Sequence, residues 1–173
     1  MDIVETAILF ATSAHAGQRR KYTGEAYIWH PLEVARTVMD AGGDDEMIAA
    51  AILHDVVEDC GVPEDRIKEM FGSRVAALVM DLTDVSKPTD GNRKVRKQID
   101  LEHTAQAHPD AKTIKLADLI SNTKSICQHD KEFAKVYLKE KAEQLNVLRE
   151  GNQQLYVGAK RSLRDANWVF EEK

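Results

Sequence analysis

The sequence predicts an all-α protein, and three observations carry that prediction. Apolar residues recur three and four apart in almost every segment. Capping and breaking residues fall between those segments. No run combines strict alternation with β-branched enrichment, so no strand is expected. The chain has 173 residues, enough for one compact domain with a sizeable core. A single domain over 1–173 is therefore expected, built as an array of short helices without internal repeats.

The elements follow from local signals. Ile3, Ala7, Phe10, Ala11 and Ala14 give a helix over about 3–17, and residues 19–29 lose that period and read as a loop. Pro31 sits in the first turn of a helix carrying Leu32, Val34, Ala35 and Val38, which Gly42-Gly43 ends. Asp44 caps the next helix, with Asp45 and Glu46 favourable at its positive end. That helix runs through Ile48, Ala51 and Leu53 to about Asp59, and Gly61 stops it. Pro63 opens a short helix to Phe71-Gly72, and Ser73 caps another over Val75–Leu82. Residues 84–92, with Pro88, Asp90, Gly91 and Asn92, read as a loop. A basic helix follows from Arg93 to about Ala105. Asp110 caps a helix to about His129, and helices over about 131–149 and 152–170 flank Gly151.

Composition narrows the function classes. Apolar residues make up 43% and charged residues 31%, ordinary for a soluble globular protein, and no apolar run approaches the roughly 20 residues that span a bilayer. The N-terminus Met1-Asp2-Ile3-Val4-Glu5 lacks a basic region and a cleavage motif, so no secretory signal and no membrane partner are expected. Cys60 and Cys127 stand outside any CxxC and are expected as reduced thiols of a cytoplasmic protein. The net charge of -5 argues against a nucleic-acid partner. Cations nevertheless cluster at Arg19-Arg20-Lys21 and at Lys87, Arg93, Lys94, Arg96 and Lys97, as a small polyanionic ligand requires and as a solvated helix face also allows.

Three short stretches carry the chemistry. In Leu53-His54-Asp55-Val56-Val57-Glu58-Asp59, four ionisable groups follow an apolar run, and burying them is costly unless they are paired or bind metal. Adjacent His54 and Asp55 cannot point the same way from an ideal helix. They converge only on an ion beside the helix or where the helix is distorted. Ile114-Lys115-Leu116-Ala117-Asp118-Leu119-Ile120-Ser121-Asn122 is an apolar helix with a polar seam of Lys115, Asp118, Asn122 and Ser125. Tyr27-Ile28-Trp29-His30-Pro31 sets a histidine at a loop-to-helix junction. Each stretch alone fits a structural role: a helix cap for His30, a hydrogen-bonded core histidine for His54, an ion pair for Asp118. Together, His30, His54, Asp55 and Asp118 offer two imidazoles and two carboxylates, a mixed set suited to Mn²⁺, Fe²⁺ or Zn²⁺ and without the thiolates of a structural zinc site.

The order His30, His54-Asp55, Asp118 resembles the HD-domain phosphohydrolase superfamily. Within it, the chain resembles the hydrolase domain of RelA/SpoT proteins and the stand-alone small alarmone hydrolases of the metazoan SpoT homologue type. The similar stretches are Arg20-Lys21…Gly24-Glu25-Ala26-Tyr27-Ile28-Trp29-His30-Pro31, Ala51 to Asp59, Phe71-Gly72…Val79…Leu82-Thr83-Asp84, and Lys115-Leu116-Ala117-Asp118…Asn122, all within about 5–128. The dipeptide HD is weak evidence, whereas HDxxED with these flanks is specific. The resemblance implies manganese-dependent removal of the 3′-diphosphate from (p)ppGpp, giving GDP or GTP and pyrophosphate. It implies Glu58 and Asp59 as the pair that orients or deprotonates the attacking water. Glu58 is the favoured base because its i, i+4 relation places it near His54. It further implies Arg20 and Lys21 at the phosphates and Asn122 and Ser125 in the nucleotide pocket, and the basic helix offers Lys97, with Arg93 or Arg96, to neutralise the leaving pyrophosphate. Tyr22 and Tyr27 are candidates to stack on the base.

The chain departs from many relatives in four places. Its loop after Arg20-Lys21 is one residue longer, Thr83-Asp84-Val85 replaces Thr-Asp-Asp, Leu119 replaces a basic residue, and Cys60 replaces a threonine. None removes a candidate metal ligand. About 45 residues follow the last match, too few for a synthetase domain, so hydrolysis alone is expected. Other readings stay open at this stage. They are an HD phosphatase acting on the 2′-phosphate of NADPH or on a nucleoside monophosphate, a catalytically silent nucleotide-binding module, and a helical interaction protein with Lys139, Glu140, Lys141 and Glu143 on a homo-oligomer face.

Overall fold

Local capping and packing produce the expected all-α architecture in the computed structural model, which describes the backbone of residues 2–171 and the side chains of residues 2–167. Among them the one extended pairing is an isolated bridge between Arg19 and Ala26. The described residues divide into two compact units, one ending at Thr83 and the other beginning at Asp84.

The first unit contains α1 (Ile3–Ala14), α2 (Trp29–Asp40), α3 (Asp45–Leu53), α4 (Val56–Cys60) and α5 (Glu64–Leu82). Asp2 starts α1 with a reciprocal cap: its carboxylate accepts from the Glu5 N–H at 2.7 Å, while the Glu5 carboxylate accepts from the Asp2 N–H. This helix ends at Ala14, three residues before the expected limit. α3 packs on α1, α2 and α5. Every residue from Met47 to Leu53 is buried, and the small side chains of Ala49, Ala50 and Ala51 let neighbouring helices approach closely. Asp44 caps α3 through the Met47 N–H at 2.9 Å. Arg74 of α5 clamps that start, with one nitrogen 2.9 Å from Asp44 and another 2.7 Å from Glu46. The Arg74 hydrogen bond holds the Asp44 carboxyl below the usual carboxylate range.

The expected continuous helix to Asp59 breaks after Leu53. Asp55 takes φ -101° and ψ -5°, the sparsely populated region between helix and turn, and α4 restarts at Val56. α5 turns sharply at Gly72, whose φ of 88° is open to glycine and strained for other residues. That turn matches the two helices that Pro63 and Ser73 predict.

The second unit contains α6 (Arg93–Gln106), α7 (Pro109–His129), α8 (Lys131–Val147) and α9 (Gln153–Glu171). Its core is formed by Leu116, Leu119, Leu138, Leu148 and Leu163 with Tyr137. The α7 cap is His108 rather than Asp110. The His108 ring accepts from the Asp110 N–H, and Pro109 takes the first helical position, where its missing N–H costs nothing. Asp100 ties the loop after Asp84 to α6 by accepting from the Val85 and Ser86 N–H groups and the Ser86 hydroxyl at 2.9–3.1 Å. Gly151 lies against α7 so closely that a Cβ there would meet Leu116 at 2.9 Å and the backbone of Lys112 and Thr113 at 3.0 Å.

Candidate metal centre

The break at Asp55 solves the problem that adjacent residues pose on a helix. It turns the Asp55 carboxylate back toward the His54 ring, so Oδ2 lies 3.0 Å from His54 Nε2. His30, in the first turn of α2, brings its Nε2 to 3.9 Å from the same oxygen. The three residues offer ligand atoms that all lie within 4.8 Å of one another. Both imidazoles are buried, and their ring centroids stand 5.4 Å apart at 70°.

Hydrogen bonding around this cluster shows that it fits a cation. His54 Nδ1 lies 2.7 Å from the Ala51 carbonyl, so it must carry the proton and donate it. In the neutral imidazole, Nε2 then presents a lone pair directly to the Asp55 oxygen. Two lone pairs at that distance repel unless positive charge lies between them or on the ring. A divalent ion satisfies this condition with the donor set on hand, two imidazole nitrogens and a carboxylate oxygen.

The surroundings of the cluster are also built from local chemistry. Tyr27 donates its hydroxyl to Asp55 Oδ2 at 2.7 Å. Its ring lies between His15, 4.8 Å away, and His30, 5.9 Å away. Tyr27 is half-buried in this arrangement. The sequence reading missed its role because Asp55 lies 28 residues away, and it missed His15, whose only local signal is Gln18 three residues on. Glu58 and Asp59 are exposed on α4. Partial desolvation and then the charge of Asp55 raise the Asp59 carboxyl above its ordinary value, opposed by the Tyr27 hydroxyl and the His15 and His54 rings. Arg20 stands in the loop before α2, its backbone bonded to Glu25 and Gly24. Lys21 is exposed, its ammonium 4.9 Å from the Tyr22 ring centroid. Cys60 and Cys127 are free, and burial raises both thiols.

The other predicted site residues lie in the second unit. Asp118 is buried on α7 and accepts a 2.6 Å hydrogen bond from Asn122, one turn later. Ser125 is half-buried on the same helix, and its carbonyl accepts from His129. Lys97 donates to Asp84 at 2.8 Å and lies 3.5 Å from Asp100. Burial alone would raise Asp84, but Lys115, followed by Lys97 and Lys141, holds its carboxyl below the usual range. Lys141, which the sequence offered only for an oligomer face, is half-buried on α8. Burial, reinforced by the charge of Lys115, lowers it to about 8.

Known proteins resemble this chain along much of its length. A family model described as HD domain matches residues 7–148. The guanosine-3′,5′-bis(diphosphate) 3′-pyrophosphohydrolase MESH1 of Danio rerio is 37% identical over 134 residues, covering 73% of each chain. The guanosine-3′,5′-bis(diphosphate) 3′-pyrophosphohydrolase of Aquifex aeolicus is 37% identical over 140 residues, which are 81% of this chain and 20% of that protein. This chain thus spans about a fifth of the Aquifex relative. A solved structure, described as a metazoan ortholog of SpoT that hydrolyzes ppGpp and plays a role in starvation responses, superposes with a TM-score of 0.85 at 26% identity, covering 95% of this chain and 96% of that one.

Proposed function

We propose, from the premise that the chain belongs to the HD domain family and groups there with the MESH1 guanosine-3′,5′-bis(diphosphate) 3′-pyrophosphohydrolases, that it hydrolyses the 3′-diphosphate of guanosine tetraphosphate and pentaphosphate. GDP or GTP and pyrophosphate are the products. The observation that carries the reading is the meeting of His30, His54 and Asp55 at the helix break. These three would hold the ion, Mn²⁺ in this reading, and Asp118 joins them on the strength of its Lys115-Leu116-Ala117-Asp118 motif. Such an ion polarises a phosphoryl oxygen and lowers the pKa of a bound water.

The chain's own residues do the rest. Glu58 takes a proton from the attacking water, and Asp59 orients that water. The water oxygen bonds to the phosphorus next to the ribose, the bond from that phosphorus to O3′ breaks, and O3′ gains a proton. Arg20, Lys21 and Lys97 neutralise the diphosphate. Lys97 has three N–H donors, so its bond to Asp84 leaves donors for phosphate. Asn122 and Ser125 take the ribose and phosphate side of the nucleotide. The same reading treats residues 1–173 as one hydrolase acting in the cytoplasm, with a homo-oligomer face on α8 and neither nucleic acid nor membrane as partner. Among the described residues no helix is long and apolar enough to cross a membrane.

The test is turnover by the purified protein with Mn²⁺, offered ppGpp, NADPH and nucleoside monophosphates in parallel. GDP and pyrophosphate from ppGpp, abolished by a chelator, are expected. Orthophosphate from NADPH or a monophosphate, with ppGpp untouched, would discard the substrate and keep the metal site.

A further inference from the structure

The Asp55 carboxylate accepts from a group outside the candidate ligand set His30, His54, Asp55 and Asp118. Tyr27 donates to Asp55 Oδ2 at 2.7 Å, the oxygen that faces His54 Nε2 at 3.0 Å. The tyrosine is itself held in place by several neighbours. Its backbone N–H donates to the Gln18 carbonyl at 3.0 Å, and the His30 N–H donates to the Tyr27 carbonyl at 2.9 Å. His15, buried, stacks beside the ring, and its Nδ1 lies 2.7 Å from Gln18 Oε1. The Gln18 amide reaches on to the Asp59 carbonyl at 3.4 Å. A chain of contacts thus runs from Gln18 through His15 and Tyr27 to Asp55, and Tyr27 touches two members of the three-residue cluster, one by its hydroxyl and one by its ring.

We infer that Tyr27 is a positioning residue for the metal centre: its hydroxyl fixes the Asp55 carboxylate against His54 and His30, and the His15–Gln18 pair fixes Tyr27. The physical reason is orientation. Asp55 sits at a helix break, where the backbone no longer dictates the side-chain direction, and a carboxylate free to rotate would lose freedom on binding an ion. A hydroxyl bonded to one oxygen removes that freedom in advance. Hydrogen bonds behind a ligand set of this kind change metal affinity by about 10- to 100-fold when removed. The inference rests on the metal-binding reading above, but not on the identity of the substrate.

The experiment is a calorimetric titration of the metal-free protein with Mn²⁺, for wild type, Tyr27→Phe and Gln18→Ala. Tyr27→Phe keeps the ring and loses only the hydroxyl. It is expected to weaken Mn²⁺ binding by about 10-fold or more, with an unchanged melting temperature in the absence of metal and a smaller rise when Mn²⁺ is added. Gln18→Ala leaves the hydroxyl but loosens His15, and a smaller loss is expected. A purely structural tyrosine would lower the metal-free melting temperature and leave the Mn²⁺ affinity unchanged. Tyr27→Phe binding Mn²⁺ as tightly as wild type overturns the inference and leaves the metal reading standing. A wild-type protein that takes up no Mn²⁺ overturns both. Should Tyr27→Phe fail to fold, Gln18→Ala decides: weakened binding supports the positioning chain, and wild-type affinity overturns it.

Discussion

In the first unit three neighbouring groups crowd lone pairs together, whereas in the second Lys112 and Lys97 each meet a carboxylate. His30, His54 and Asp55 place two imidazole nitrogens and a carboxylate within 4.8 Å. In the second unit, Lys112 is buried and donates to Glu150 and to the Ala105 carbonyl, while Lys97 lies between Asp84 and Asp100. Both arrangements bury expensive groups. In the second, each of these two cations has its counter-charge within the chain. The first sets two imidazole nitrogens against a carboxylate oxygen, a donor set that a cation would suit.

The comparison breaks most sharply at the ligands. His54→Ala and Asp118→Ala are each expected to lose Mn²⁺ and to lower ppGpp turnover by roughly 10³-fold or more, as measured by metal content after dialysis and by product formation. Wild-type metal content and turnover in Asp118→Ala would remove that residue from the site. Glu58→Gln is expected to keep its metal and lose about 10²-fold in kcat. Near-normal kcat would pass the base role to Asp59. Changes at a purely structural point of the second unit separate stability from metal affinity. Gly151→Ala pushes a methyl into Leu116 and the α7 backbone, and is expected to cost about 1–3 kcal/mol in denaturant unfolding without altering Mn²⁺ affinity. A weakened affinity there would undo the contrast between the units.

The smallest effect is expected at Lys141, where charge matching is least favourable. Its pKa is lowered to about 8 from the ordinary 10.5, with burial as the first cause and Lys115 as the second. Between those two values the unfolded chain binds the proton more tightly than the folded one, so stability rises with pH across that window. Below about 8 the full penalty of holding a desolvated ammonium remains. Lys141→Met should therefore be more stable at pH 7 by about 1 kcal/mol and should lack the rise between pH 8 and 10. Unfolding curves at several pH values check both points.

Much of this molecule was legible from neighbours in the chain. Asp44 announced a helix start, Gly61 and Gly72 announced breaks, and HDxxED announced a cluster that an undistorted helix could not assemble. These signals act within a turn or two of backbone, so residue order alone determines them. Where a local rule erred, as in assigning the α7 cap to Asp110, the helix starts earlier: Pro109 takes the first helical position and the His108 ring accepts from the Asp110 N–H. The tertiary structure alone decided that Tyr27 reaches Asp55 across 28 residues, that Arg74 clamps the start of α3 from 28 and 30 residues away, and that Lys112 meets Glu150 across 38. Such partners leave no periodic trace in the sequence. Their meeting depends on how whole helices pack, and it is that packing, rather than any motif, that directs a hydroxyl onto a carboxylate.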